Sequence, residues 1–256
     1  QYSKCTGRKK ALCIGINYQG QLRGCINDAH NVKRFLISKW GYKNGDIVML
    51  VDDTDLSRQM PTRRNILDAM RWLVKGAHPH DALFFHYSGH GGQVPDKDGD
   101  KVDGLDEVIY PVDYKKAGLI VDDEMHHIMV KSLPAGCRLT AIFDSCHSGT
   151  ALDLPYIYHS NGRLKGSHIT QRAQAEKATN ADVISFSGCR EDQTRTQGDM
   201  AVGAMSYALV TSLTRNPVQS YQELLKSVRD ILKQNYQQKP QLSSSHPIDT
   251  SLRFIL

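Results

Sequence analysis

Leu139-Thr-Ala-Ile-Phe-Asp-Ser-Cys-His-Ser-Gly149 is the stretch whose reading decides the fold. It opens on apolar and β-branched residues too few for a helix, which predicts a buried strand. Small and polar residues follow: Asp144, Ser145, Cys146, His147, Ser148 and Gly149. A cysteine just past a buried strand stands at a loop edge, where its sulfur can meet solvent and a substrate. Upstream, Ala82-Leu-Phe-Phe-His-Tyr-Ser-Gly-His-Gly-Gly92 has the same arrangement, an apolar strand running into a glycine-rich turn that carries His90. Ligands of open parallel sheets bind outside the carboxyl ends of the strands. Two neighbouring strands ending in His and Cys therefore point to a thiol nucleophile with its base.

Outward from these two strands the chain alternates. Lys10 to Ile16 reads as a first strand, followed by a helix with Val32, Phe35, Leu36 and Trp40 on one face, capped by Asn27 or Asp28. Gly45 to Val51 reads as a second strand, and Pro61-Thr62 starts a helix whose apolar face carries Ile66, Leu67, Met70, Leu73 and Val74. Strand, helix, strand, helix, strand is the pattern of a parallel sheet with right-handed crossovers. Val108 to Val112 predicts a short strand, and Ile120 to Val130 a turn into a helix capped by Asp122 or Asp123. From Pro155 to Asn180 the periodicity fades, which predicts a mobile loop. Val183 to Gly188 reads as a strand, Gly203 to Leu213 and Tyr221 to Tyr236 as helices, and Leu252 to Leu256 as a last strand after a loop. Repeats and interdomain linkers are absent, so a single α/β domain over residues 1–256 is expected.

Composition narrows the class. The 256 residues are 40% hydrophobic and 23% charged, with a net charge of +5 spread along the chain. Lys/Arg blocks with interleaved aromatics are missing, which argues against nucleic acid as a partner. A signal-peptide core and an apolar run of about 18 residues are missing too, which argues against a membrane. Six cysteines lie scattered without CxxC pairs, unlike a disulfide framework or a zinc ribbon. A reducing, soluble compartment is expected. The chain opens on Gln1 rather than Met, so residues before it are allowed for.

The thiolate is the reactive form of cysteine, and an adjacent histidine raises its share at neutral pH. The backbone N–H groups of Cys146 and Gly91 are candidate oxyanion donors, a role that needs no particular side chain. The competing reading is a structural cysteine beside a histidine in a glycine-rich turn. His147 adjoins Cys146 in sequence, but successive side chains point apart, which disfavours it as the base. Asp144 and Asp28 both follow strands and can reach the same sheet edge, where two carboxylates would attract an Arg or Lys side chain. Residues 96–107 carry six acids against two lysines. They resemble an EF-hand loop except that Lys101 replaces the sixth-position glycine, so a solvated acidic loop is the preferred reading.

His86-Tyr-Ser-Gly-His-Gly91 together with Asp144-Ser-Cys-His-Ser-Gly149 resembles the metacaspase family of the caspase-like clan, type I and fungal-like. Further matches are Ile14 to Tyr18, Gly24 to Asp28, Pro111 to Asp113, Val121 to Asp123, Ser187 to Cys189 and Pro240 to Ser244. The resemblance implies a caspase-like fold, a mainly parallel central sheet flanked by helices on both faces. It divides the domain into a large-subunit-like part (1–154), a processing loop (155–180) and a small-subunit-like part (181–256). It implies His90 and Cys146 as a catalytic dyad, and Asp28 and Asp144 as the pocket for Arg or Lys before the scissile bond. It also implies a Ca²⁺ site at Asp106, Asp122, Asp123 and Asp153, hard oxygen donors suited to that ion. Autoprocessing of a zymogen is then expected at Arg163, Lys165, Arg172 or Lys177. The resulting expectation is a monomeric, calcium-dependent endopeptidase of the cytoplasm and nucleus that acts on proteins or peptides, with a link to apoptosis. A caspase-fold scaffold or quality-control factor is the rival from another class. A nucleotide-binding doubly wound protein is disfavoured, because no glycine-rich phosphate loop is present.

Overall fold

The structure is a computed structural model that describes residues 1–145, 151–159, 161–166, 170–190, 203–236 and 238–256. Its centre is a pair of parallel strands, β3 (Ala82–Ser88) and β7 (Arg138–Asp144), buried along their whole length. Strands covered on both faces need continuous apolar runs, and that is what these two stretches supply. Beside β3 lies β1 (Lys9–Gly15), and beside β1 lies β2 (Ile47–Val51), both parallel to their neighbours. On the other side β10 (Asp182–Arg190) continues the parallel set. Three antiparallel strands complete the eight-stranded sheet, whose order is β2-β1-β3-β7-β10-β11-β8-β9. They are β11 (Gln238–Ser244), β8 (Tyr156–Tyr158) and β9 (Leu164–Gly166).

Helices cover both faces, as the alternation of elements requires. On one face lie α1 (Cys25–Trp40), α6 (Ala204–Arg215) and α7 (Tyr221–Asn235), which share a core with Phe84, Ile142 and Phe186 of the sheet. On the other, α2 (Arg63–Val74) and α4 (Asp122–Met129) pack over Leu83, Phe85, Leu139 and Phe143. α2 starts where expected, with the Thr62 hydroxyl accepting the Asn65 N–H at 3.2 Å. α7 opens on a capping box in which Ser220 and Glu223 bond each other's backbone N–H. A short helix α3 (Tyr114–Ala117) and a second sheet, order β4-β5-β6, fill the long connection between β3 and β7. These strands are β4 (Gly91–Pro95), β5 (Leu105–Ile109) and β6 (Ile120–Val121), and the acidic run is the hairpin loop between β4 and β5.

Four expectations are corrected. α1 begins at Cys25, so neither Asn27 nor Asp28 caps it; Asn17 Oδ1 accepts the Cys25 N–H at 3.1 Å instead. Asp122 and Asp123 do not cap α4 but form its first turn, after Val121. The segment 155–180, expected to lack regular structure, carries β8, β9 and a helix α5 (Gln171–Lys177) capped by Thr170. The last strand is β11 rather than Leu252 to Leu256, which contributes only a bridge from Arg253 to Ser220. Pro240 lies where β11 pairs with β10 alone, since β8 reaches only Leu242 to Ser244. A proline is tolerated in such a half-edge position.

At the amino ends of β7 and β10 a buried ion pair locks the sheet. Arg138 Nη1 lies 2.7 Å from Asp182 Oδ2, and its guanidinium also reaches Thr140 and the carbonyl of Ile255. The carboxyl ends of β1, β3 and β7 are level with one another, Gly15 opposite Ser88 and Ser88 opposite Asp144. Chain direction switches there, with α1 on one face and α2 on the other, so a crevice opens at that edge.

Candidate active site

His90 stands two residues past β3, in the bend into β4, and is half-buried. Three tyrosines hold its backbone. The His90 N–H donates to the Tyr18 hydroxyl at 2.9 Å, and the Tyr87 hydroxyl donates to the His90 carbonyl at 2.6 Å. Tyr18 also donates to the Tyr110 carbonyl at 2.7 Å, and its ring lies 4.5 Å from the imidazole. Gly89 makes this closeness possible, because a Cβ there would stand 2.6 Å from the Tyr87 hydroxyl and 2.8 Å from that of Tyr18. Burial lowers the His90 pKa from its ordinary value, favouring the neutral imidazole. Gly91 opens β4 and pairs with Ile109. Cys146 lies outside the described residues. The strand β7 nevertheless carries the chain to Ser145, one strand over from His90, so both predicted dyad residues follow adjacent strands.

Asp28 and Asp144 do come together. Asp144 ends β7 with its side chain fully buried, and its Oδ2 lies 2.8 Å from His86 Nε2. Its Oδ1 accepts the Ser206 N–H at 3.0 Å, from the first turn of α6. Asp28, in the first turn of α1, accepts the Ser88 hydroxyl at 3.0 Å. Burial and the neighbouring Asp144 push its carboxyl up to about 7. Gly203 closes the far side, since a Cβ there would lie 2.2 Å from Asp28 Oδ2. The two carboxylates thus meet at the same sheet edge as His90.

The predicted calcium ligands also converge, with additions. Oxygens of Asp106, Asp122 and Asp123 lie within 4.8 Å of one another, as do those of Asp100, Asp123 and Asp153. Asp100 thus joins the cluster from the acidic run, which is therefore not simply a solvated loop. Asp153 is wholly buried in a left-handed conformation at φ 56, and its two carboxylate oxygens face ammonium groups. Two ammonium groups enter the cluster. Lys101 Nζ stands 2.9 Å from Asp122, 2.9 Å from Asp153 and 3.4 Å from Asp106. Burial opposes the Lys101 charge, but the carboxylates, Asp122 foremost, outweigh it and hold its pKa above the ordinary lysine value. Lys177, the last residue of α5, reaches Asp100, Asp123 and Asp153. Burial pushes the Asp122 carboxyl up to about 6. The oxygen donors suit a hard divalent cation. His126 Nδ1–H donates to the Leu152 carbonyl at 2.9 Å and ties Leu152 to α4.

A family model for the metacaspase peptidase C14 domain matches residues 9–155. Metacaspase-1 of Cryptococcus neoformans var. neoformans serotype D is 55% identical over 302 aligned positions, taking in all of this chain and 66% of that protein. Metacaspase-1 of Emericella nidulans is 51% identical, over all of this chain and 75% of that protein. The chain belongs to the metacaspase family. It spans about two thirds of the length of the fungal relative from Cryptococcus. Solved structures bear out the caspase-like fold. A Geobacter sulfurreducens protein superposes with a TM-score of 0.65 at 24% identity, covering 96% of this chain and 98% of that one. Caspase-1 of Spodoptera frugiperda superposes with a TM-score of 0.55 at 15% identity, covering 93% and 86%.

Several residues of this metacaspase site escaped the sequence reading. Tyr18, Tyr87, Tyr110 and Ser206 carry no motif of their own. Lys101 counted only against an EF-hand, and Lys177 only as a cleavage candidate. The one local signal was at Gly89 and Gly203, where bulk is excluded. The remaining autoprocessing candidates Arg163, Lys165 and Arg172 are exposed, on and beside β9 and on α5.

Proposed function

We propose that the chain is a cysteine endopeptidase that cleaves after Arg or Lys, with Cys146 as nucleophile and His90 as its base. We further propose that calcium at the acidic cluster supports its activity and that it processes itself within residues 155–180. The observation that carries this reading is the Asp28–Asp144 carboxylate pair beside His90 at one sheet edge.

A neutral His90 accepts the Cys146 thiol proton, and the thiolate adds to the scissile carbonyl. The N–H groups of Gly91 and Cys146 are the donors for the oxyanion. His90 then returns the proton to the leaving amine, and water, deprotonated by the same imidazole, hydrolyses the thioester left on Cys146. In the pocket, an entering guanidinium supplies the positive charge that lets Asp28 ionise beside Asp144, and its planar fork suits a carboxylate pair. Asp-ended substrates would meet the same carboxylates and be refused.

Asp100, Asp106, Asp122, Asp123 and Asp153 are the residues that would hold calcium. The bound ion would neutralise clustered carboxylates and link their segments. Asp153 lies seven residues past Cys146, so fixing it fixes the segment after the nucleophile. Lys177 is held among carboxylates, whereas Arg163, Lys165 and Arg172 are open to attack.

Turnover of reporter peptides ending in Arg, Lys or Asp, with and without calcium, tests the reading. Arg and Lys reporters are expected to be cut only with calcium, and Cys146→Ala to abolish cutting. Preferred cleavage after Asp, or full activity of Cys146→Ala, would refute it. Mass spectrometry of calcium-treated protein should find new termini after Arg163, Lys165 or Arg172, absent from Cys146→Ala.

A further inference from the structure

His86 is a wholly buried histidine in the middle of a core strand. Its Nε2 lies 2.8 Å from Asp144 Oδ2, and its Nδ1 is buried with no partner among the described residues. A carboxylate oxygen only accepts, so Nε2 carries the proton and Nδ1 is bare in the neutral ring. Buried polar atoms are rarely left orphaned. Leaving Nδ1 unmet costs stability, and a hydrophobic residue at this strand position would avoid that cost. The arrangement therefore points to the other nitrogen.

β3 places its side chains alternately on the two faces. His86 and Ser88 fall on the same face, and each grips one of the two pocket carboxylates, His86 on Asp144 and Ser88 on Asp28. Asp144 is then held at both oxygens, by His86 from below and by the Ser206 N–H from α6. This matters because a buried carboxylate beside another one tends to take up a proton or to swing away. An N–H donor fixes its rotamer.

We propose that His86 is a positioning residue for substrate specificity: its Nε2–H holds the Asp144 carboxylate oriented for the basic side chain of the substrate. This rests on the reading of Asp28 and Asp144 as the pocket for Arg or Lys. His86 touches neither the scissile bond nor His90, so its influence falls on binding rather than on the chemical step. Asp28 and Cys25 of α1 and Tyr236 also lie around the pocket, and the Cys25 thiol, which burial pushes up to about 12, stays neutral.

The test compares His86→Gln, whose amide nitrogen falls near the Nε2 position, with His86→Asn, whose amide stops near Nδ1. KM and kcat are measured for an Arg-ended reporter, with agmatine as a competitive inhibitor that carries a guanidinium and no scissile bond. His86→Asn is expected to raise both KM and the agmatine Ki by about 10-fold or more, the size of a lost hydrogen bond to a charged group. Its kcat, and the rate of Cys146 alkylation by iodoacetamide, should stay within about 3-fold, and His86→Gln should resemble the parent throughout. A folded His86→Asn with unchanged KM overturns the proposal, as does a fall in kcat shared by both variants. The parent chain covers the case of variants that fail to fold. Its imidazole ¹⁵N spectrum should show His86 protonated at Nε2, with a resonance that moves on agmatine binding, and an unmoved resonance overturns the proposal. A parent that does not prefer Arg over Asp reporters refutes the pocket instead.

Discussion

Replacing Lys177 with Met separates two roles for the ammonium group in the acidic cluster. The substitution keeps the apolar stem and removes one charge. Lys177 Nζ contacts Asp100, Asp123 at 2.8 Å and Asp153, and its side chain is 13% exposed. A charge-assisted contact of this kind contributes about 2–3 kcal/mol net once desolvation is subtracted. An ion bound by Asp123 and Asp153 must displace this group, so the same free energy opposes calcium. Removing it should tighten apparent calcium binding by about 30- to 140-fold, since about 1.4 kcal/mol is a factor of ten. In calcium-free buffer the sign reverses. Asp153 keeps only Lys101 as a partner, the like charges repel, and breaking a buried pair costs about 3–5 kcal/mol. For a chain of this size that lowers the melting temperature by roughly 6–15 °C. Calcium titration by calorimetry and melting curves with and without calcium check both halves, in a Cys146→Ala background that cannot cut itself. Calcium binding no tighter than the parent's, or a drop in melting temperature that calcium does not reverse, would refute the exchange. Lys177 would then be a strut only.

Other outcomes follow from the same structure. Asp28 titrates at about 7 in the empty pocket and is mostly protonated below that pH, so agmatine should bind about ten times more tightly at pH 8 than at pH 6. Asp28→Asn should remove that dependence. Gly89→Ala should cut kcat/KM by about 10-fold or more with little loss of fold, because its methyl group must displace the Tyr18 and Tyr87 hydroxyls that hold His90. At Asp182 burial alone would raise the carboxyl, but the Arg138 guanidinium outweighs it and holds the pKa at about 2. A depressed carboxyl stabilises the fold above its unfolded value and stops doing so as pH falls through the folded one. About 2 kcal/mol should thus be lost between pH 4 and pH 2, visible in acid melts. Asp182→Asn leaves Arg138 buried and unpaired and should cost about 3–5 kcal/mol at neutral pH, measured by denaturant unfolding.

The central strands and the edge that carries the site were legible in the sequence. Ala82 to Ser88 and Arg138 to Asp144 are continuous apolar runs because both their faces are covered, and such runs stop where the backbone leaves the core. The polar residues at those stops, His90, Asp144 and Cys146, therefore stood out. Elements whose burial depends on neighbours were misread. Gln238 to Ser244 is polar yet forms a strand, since β10 and β8 provide its ladder. Leu252 to Leu256 is apolar yet forms none, since Phe254 and Leu256 are buried by α7 and by Trp40 rather than by pairing.

What the sequence determined by itself was where the chain alternates between solvent and core, for that is written in local spacing and in turn residues. It determined the strand-end placement of the histidine and the cysteine in the same way. Only the tertiary structure decided which charges meet. Lys101 lies beside Asp100 in the chain, but its partners Asp122 and Asp153 arrive from α4 and from beyond β7. His86 reads like any buried strand residue until β7 is laid alongside and Asp144 comes within 2.8 Å. The physical reason is range. Burial is set by residues a few positions apart, whereas a buried charge is tolerated only through a partner, and strand order brings that partner from anywhere in the chain.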